Sequence, residues 1–181
     1  MVSPQRPFDS AKQGRKTIFL DIDGVLNKTK ANTHITFEPL LLKNLKRIVD
    51  ETGADIVLST FWRKFDRYIA YVLNRHGIDG RRVVGRTPGF GHDKSFESSA
   101  FDSIHYENRA AEIQAYLDEH PNISNFVILD DRPTAATTAQ LKGNFIETDS
   151  STGLTSRECE FAIKILNGGD PESLNGGDRA L

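Results

Sequence analysis

Asp21 and Asp23 stand two residues apart at the end of a short apolar run, and Gly24 follows them at once. In extended chain, side chains two apart project to the same side. Two like charges placed this close repel each other unless a cation or a shared proton intervenes. A magnesium ion, a hard cation served by oxygen ligands, is the economical partner. Two further polar clusters follow apolar runs in the same way: Ser59 and Thr60 after Asp55-Ile56-Val57-Leu58, and Asp130 and Asp131 after Asn125-Phe126-Val127-Ile128-Leu129.

The runs that lead into these clusters are too short for helices and rich in β-branched and aromatic residues. They predict strands buried on both faces, as in the middle of a parallel sheet. Between them the apolar spacing becomes helical. A helix is expected from about Glu38 to a stop at Gly53, another over Phe65–His76, and a third over Asn108–His120. A short helix near Ala135–Leu141 and a last one capped by Ser156 and ending at Leu166 complete the set, with Cys159, Ala162, Ile163 and Leu166 on one face of the last. Arg82–Gly85 and Asn144–Glu147 supply two more strands. This alternation predicts an α/β fold: a Rossmann-like parallel five-stranded sheet with helices on both faces and right-handed crossovers. In a parallel sheet every strand ends at the same edge, where open α/β sheets bind ligands. One acidic strand end alone reads as a helix N-cap. Three polar strand ends arriving at one edge read as a site.

The chain has 181 residues, 38% apolar and 27% charged, which suits one globular domain with a real core. Its net charge of −2 gives no global basic field, so nucleic-acid binding would need a local patch. The single cysteine, Cys159, excludes an internal disulfide and fits a reducing compartment. No run reaches membrane-spanning length and no signal-peptide core opens the chain, so the expected location is the cytoplasm and no membrane partner is expected. Residues 1–15 read as a disordered tail, 16–166 as the domain, and 167–181, with Asn-Gly-Gly-Asp twice, as a flexible tail. The five histidines lack zinc-ligand spacing. Cys159 reads as core and Asp149 as a turn residue.

The wording Phe19-Leu20-Asp21-Ile22-Asp23-Gly24-Val25-Leu26-Asn27, then Ile56-Val57-Leu58-Ser59-Thr60-Phe61-Trp62-Arg63, then Val127-Ile128-Leu129-Asp130-Asp131, resembles the haloacid dehalogenase (HAD) superfamily of phosphotransferases. With Thr148-Asp149 and Gly153-Leu154-Thr155 it is similar to the small HAD domains found alone or fused in RNA-repair proteins. The resemblance implies a sheet with the first strand central, the second and third on one side and the fourth and fifth on the other. It also implies a magnesium-dependent phosphomonoester hydrolase working through an aspartyl-phosphate. Asp21 is then the nucleophile and Asp23 the acid and base. Asp21, the backbone carbonyl of Asp23, and Asp130 hold the metal, with Asp131 behind Asp130, bound through water, or in its place. Ser59 binds a phosphoryl oxygen, and Gly24 and Thr60 lie on the substrate side. The family's cation falls on Arg109, which opens the helix before the fourth strand, with Lys94 as the alternative.

Trp62 and Arg63 admit two readings. An exposed aromatic and a guanidinium suit a stacked base and a second phosphate, with Lys64 beside them. A packed tryptophan and a salt-bridged arginine explain the same residues. HAD enzymes that act on small metabolites usually carry a cap domain. Here only Asn27–Thr36 and the irregular segment 86–107 could hold one, and neither can fold a core of its own. The resemblance therefore implies an open site, with Phe90, Phe96 and Phe101 at most making a flap. Such a site admits a macromolecule, RNA or DNA ends among the candidates. A phosphoprotein, a general small-molecule ester, and a non-catalytic receiver-like module are the competing expectations.

Overall fold

The computed structural model describes residues 14–28, 34–89 and 108–169. Lys94, Phe90, Phe96 and Phe101 lie outside the described residues, as does most of both expected tails. Five parallel strands form one sheet: β1 (Arg15–Leu20), β2 (Asp55–Leu58), β3 (Val83–Arg86), β4 (Ile123–Asp130) and β5 (Phe145–Glu147). Their order is β3-β2-β1-β4-β5, so β1 is central and the chain reverses direction across the sheet on either side of it. The helices are α1 (Pro39–Thr52), α2 (Asp66–Arg75), α3 (Arg109–Glu119), α4 (Ala139–Gly143) and α5 (Ser156–Leu166).

The two faces of the sheet follow the period of two along each strand. Ile18, Leu20, Ile56, Leu58, Val127 and Leu129 join a core with α1, α2 and α5. Phe19, Val57, Phe126 and Ile128 face the other way, into a second core with α3 and α4. Phe19 sits there edge-on to Tyr116 and Phe126, at centroid distances of 5.7 and 5.9 Å. These runs are apolar throughout because both of their faces are covered. The fold is Rossmannoid, and the described residues include no cap domain.

Local chemistry sets the helix ends. Pro39 opens α1, where its missing N–H costs nothing. Gly53 closes it at φ 68°, donating its N–H to Val49, a left-handed cap that glycine adopts without penalty. The last helix is capped by Thr155 rather than Ser156: the Thr155 side chain accepts from the first turn, and Glu158 reaches back to the Thr155 N–H in a capping box. Its buried face carries Ile165 besides Cys159, Ala162 and Leu166, and Ile163 packs against the same core half-buried. The segment expected as one helix over Ala135–Leu141 is a 3-10 turn at Pro133–Ala135 followed by α4. Thr138 starts α4 afresh by accepting from the Leu141 N–H at 3.3 Å. At the N-terminal end β1 takes in Arg15, whose guanidinium meets Asp55 at 2.8 Å.

Candidate active site

Strand register brings the three polar clusters together. Leu20 pairs with Leu58 on one side and Leu129 on the other, so the residues after them share the C-terminal edge. Two backbone bonds lock this alignment one step further: Asp21 N–H donates to Leu129 and Ser59 N–H donates to Leu20, at 3.0 and 2.9 Å. Asp21 and Asp130 are buried, at 4% and 1% exposure, and Asp131 is half-buried. Oxygens of Asp21, Asp130 and Asp131 all lie within 4.8 Å of one another. Adjacent strands and one short turn thus gather three carboxylates whose sequence positions span more than a hundred residues.

Arg109 is the counter-charge. Its Nη1 lies 2.5 Å from Asp21 Oδ2 and 2.5 Å from Asp130 Oδ2. It is the first residue of α3, capped by Asn108, which accepts from the Ala111 N–H at 3.0 Å. A cation in a first helical turn opposes the helix dipole, so the two carboxylates, and not helix stability, account for its place. Burial works against the charged guanidinium, but Asp21 and then Asp130 outweigh it and raise its pKa. Asp130 is pushed up to about 7, by burial first and by the charge of Asp21 second. Asp131 is also raised, for the same two reasons in the same order. Arg109 pairs with Asp21 and Asp130, and the more exposed Arg132 lies 3.9 Å from Asp131, so two guanidiniums answer three carboxylates and leave negative charge to spare. An all-oxygen, charge-dense donor set of this kind fits a hard divalent cation.

Asp23 is held differently. Its Oδ1 accepts from Asn27 Nδ2 at 2.9 Å and its Oδ2 from Trp62 Nε1 at 2.8 Å. Its side chain is outside the three-carboxylate cluster. Asn27 is itself buried and also accepts from the Gly24 N–H and donates to the Thr36 carbonyl. Gly24 adopts φ 76°, and a Cβ there would lie 2.6 Å from Asp131 Cγ. Thr148, after β5, donates to the Gly24 carbonyl at 2.8 Å. The turn after Asp21 is therefore pinned on both sides. Ser59 Oγ is buried, and among the described residues it is one of two buried side-chain polar atoms with no hydrogen-bond partner. An unpaired hydroxyl at this depth is costly unless a ligand meets it. Thr60 Oγ1 instead caps the next turn, accepting from the Trp62 N–H at 3.3 Å.

Trp62 and Arg63 are not at the surface. Trp62 is 8% exposed and Arg63 5%. Arg63 makes a two-pronged pair with Glu112 of α3 at 2.5 and 3.0 Å and donates to Thr87 Oγ1 at 2.7 Å. The expectation of a free stacking ring and a free guanidinium at these two positions is corrected by their packing: indole and guanidinium already have partners inside the protein. Asn27, Glu112 and Thr148 are site residues that sequence reading missed. Asn27 closes the first motif, which was the available signal; Glu112 carried none beyond its spacing of three from Arg109. Asp149 caps its own turn, accepting from the Ser151 N–H at 2.7 Å. Cys159 is buried in the core, and burial raises its thiol pKa.

Residues 17–159 match the HAD domain in Swiss Army Knife RNA repair proteins. The chain belongs to this family. It is a HAD-superfamily domain that carries the carboxylate cluster of a HAD-type phosphatase. No curated protein and no solved structure matches it significantly. Among the described residues, no helix of the HAD domain is long and apolar enough to cross a membrane.

Proposed function

We propose that this HAD domain hydrolyses a terminal phosphate of a nucleic acid, with Mg2+ as its cation and an aspartyl-phosphate on Asp21 as its intermediate. The observation that carries the chemistry is the meeting of Asp21, Asp130, Asp131 and Arg109 beside the unpaired Ser59 hydroxyl. Asp21, Asp130 and Asp131, with the main-chain carbonyl of Asp23, are the groups that would hold the cation. Bound there, it would offset the repulsion between an anionic nucleophile and an anionic phosphate.

A carboxylate oxygen of Asp21 attacks phosphorus and the bond to the ester oxygen breaks. Asp23 gives its proton to that leaving oxygen, then takes a proton from the water that attacks the aspartyl-phosphate. The second attack releases inorganic phosphate and restores Asp21. Asn27 and Trp62 fix the plane of the Asp23 carboxyl with one hydrogen bond to each oxygen, so it gives and takes its proton from one position. Arg109 holds Asp21 in line and offsets charge that develops on the phosphoryl oxygens. Ser59 donates its free hydroxyl to one of those oxygens.

The substrate assignment is supported by two findings. The matched family is described by its place in RNA repair proteins, and no cap that could enclose a small ester stands among the described residues. Phosphate release should be measured, with and without Mg2+, from a terminally phosphorylated oligonucleotide, a mononucleotide, a sugar phosphate and a phosphopeptide. The oligonucleotide should give the highest kcat/KM, and removal of Mg2+ should abolish turnover. Asp21→Asn should be folded and inactive. Normal turnover in that variant would overturn the mechanism; equal efficiency on mononucleotide and oligonucleotide would overturn the substrate.

A further inference from the structure

The large apolar residues that α2 and its entry leave at the surface are all aromatic. Phe61, Phe65, Tyr68 and Tyr71 are 46, 52, 50 and 62% exposed. Tyr68 and Tyr71 are three apart on α2 and Phe65 is three before Tyr68, so they follow one side of the helix. The opposite side of α2 supplies Ile69 and Leu73, both fully buried. The exposed rings are therefore surplus to the core. Arg67 precedes Tyr71 by four residues and Arg75 follows it by four, both at helical spacing and both exposed. The one acidic residue in α2, Asp66, lies at its start, where it accepts from the Arg67 N–H at 2.6 Å.

This face is continuous with the catalytic centre. Phe61 meets the Trp62 ring edge-on at a centroid distance of 5.3 Å, and Phe65 lies tilted against it at 6.2 Å. Trp62 in turn donates to Asp23. Two exposed rings thus touch the indole that holds the catalytic acid, and two more lead away from it along α2. Rings at intervals with positive charge between them fit one kind of occupant well. A single strand offers a π-face and a phosphate at each step, and neither contact requires a particular base.

We propose that Phe61, Phe65, Tyr68 and Tyr71, with Arg67 and Arg75, form a stacking track for single-stranded nucleic acid that delivers its terminal phosphate to Asp21. This rests on the nucleic-acid reading of the active site and adds the surface that receives the chain behind the reacting end. Phe61 and Phe65 take the nucleotides next to the phosphate, and Tyr68 and Tyr71 those further in. The track, and not the buried Trp62–Arg63 pair, supplies the polymer contact.

The test uses the double variant Tyr68→Ala/Tyr71→Ala, whose substitutions are confined to exposed positions, with Tyr68→Phe/Tyr71→Phe as the conservative control. The readouts are kinetics on p-nitrophenyl phosphate and a terminally phosphorylated single strand, and fluorescence anisotropy with the same strand lacking its phosphate. The alanine variant should keep p-nitrophenyl phosphate turnover and oligonucleotide kcat. Its oligonucleotide KM and anisotropy Kd should both rise, by on the order of tenfold per lost ring, and the phenylalanine variant should restore both. Arg67→Gln/Arg75→Gln should flatten the salt dependence of binding. Unchanged oligonucleotide KM and Kd in the alanine variant, with phosphatase activity intact, would overturn the track and leave the active-site reading standing. A rise confined to a phosphopeptide KM would overturn it in favour of a protein substrate. Loss of a dimer in sedimentation, with oligonucleotide binding unchanged, would overturn it in favour of a self-interface. Should the wild type not favour oligonucleotides as substrates, anisotropy still decides the track by itself.

Discussion

Gly24 shows how much a single position can control in this site. Its positive φ disfavours any side chain, and the space a Cβ needs is held by Asp131, 2.6 Å away. Alanine at this position would carry a left-handed backbone cost of roughly 1–2 kcal/mol and press on one of the three clustered carboxylates. Gly24→Ala should therefore do two things at once. Its Tm should fall by a few degrees, and the Mg2+ concentration needed for half-maximal activity should rise severalfold. A variant with wild-type Mg2+ dependence would show that Asp131 stays in place or takes no part in holding the cation. Asp23 illustrates a different kind of control, because both of its oxygens are spoken for by Trp62 and Asn27. A ring often read as a substrate contact here acts as a hydrogen-bond donor to a carboxylate.

At the scale of elements, the question is how α3 is kept in register with the sheet edge so that Arg109 reaches Asp21. The helix packs on β1 and β4 through Ala110, Ile113 and Tyr116, but apolar packing alone tolerates small slides. The pair between Arg63 and Glu112, nearly buried at 6 and 10% side-chain exposure, ties α3 to the turn that follows Ser59. Glu112 is one helical turn beyond Arg109, so this tie acts close to the guanidinium that pairs with Asp21 and Asp130. Breaking a buried pair from one side leaves an uncompensated charge, at a cost of roughly 3–5 kcal/mol. Glu112→Gln should destabilise the domain by about that much and lower kcat more than it changes KM. Replacing both partners by apolar residues, Arg63→Met/Glu112→Leu, should recover most of the stability in urea melts. An unchanged Tm and kcat in Glu112→Gln would remove the pair from any positioning role.

For the whole molecule, the central consequence is that the sheet edge concentrates negative charge which folding alone does not offset. Arg109 and the more exposed Arg132 answer only part of it, while burial first and the charge of Asp21 second push Asp130 and Asp131 upward. A ligand that binds the folded state and not the unfolded chain raises stability by mass action, about 2.7 kcal/mol at a hundred times its Kd. For a chain of this length that corresponds to a Tm rise of roughly 5 °C or more. Mg2+ should produce such a rise in the wild type, and chelation should reverse it. Asp130→Asn, which removes a buried charge, should be inactive, at least as stable as the metal-free wild type, and unresponsive to Mg2+. An equal Mg2+ response in both proteins would place the cation elsewhere.

Much of this arrangement was legible in the chain before any coordinates. Continuous apolar runs such as Ile18–Leu20 and Val127–Leu129 mark strands covered on both faces, and their polar ends must meet wherever the sheet is parallel. The strand order, with β1 central, followed from the alternation of strand and helix together with the family resemblance. Those signals are local or topological, so neighbours in sequence carry them. Arg109 could be nominated only through that resemblance, since nothing local to Asn108-Arg109 shows that its guanidinium will span two carboxylates, one of them 88 residues away. The fates of Trp62 and Arg63 were not legible at all. Both residue types suit a surface and a core equally well, and only the packing of α3 and the turn after Asp21 brings Glu112 to one and Asp23 to the other. The same packing decides which rings remain outside: with Trp62 turned inward, Phe61, Phe65, Tyr68 and Tyr71 are left facing solvent. Sequence periodicity specifies the backbone layout because each strand and helix buries its own pattern. Side-chain partners are chosen between elements, where burial makes an unpaired charge or donor costly, and that choice exists only in the folded molecule.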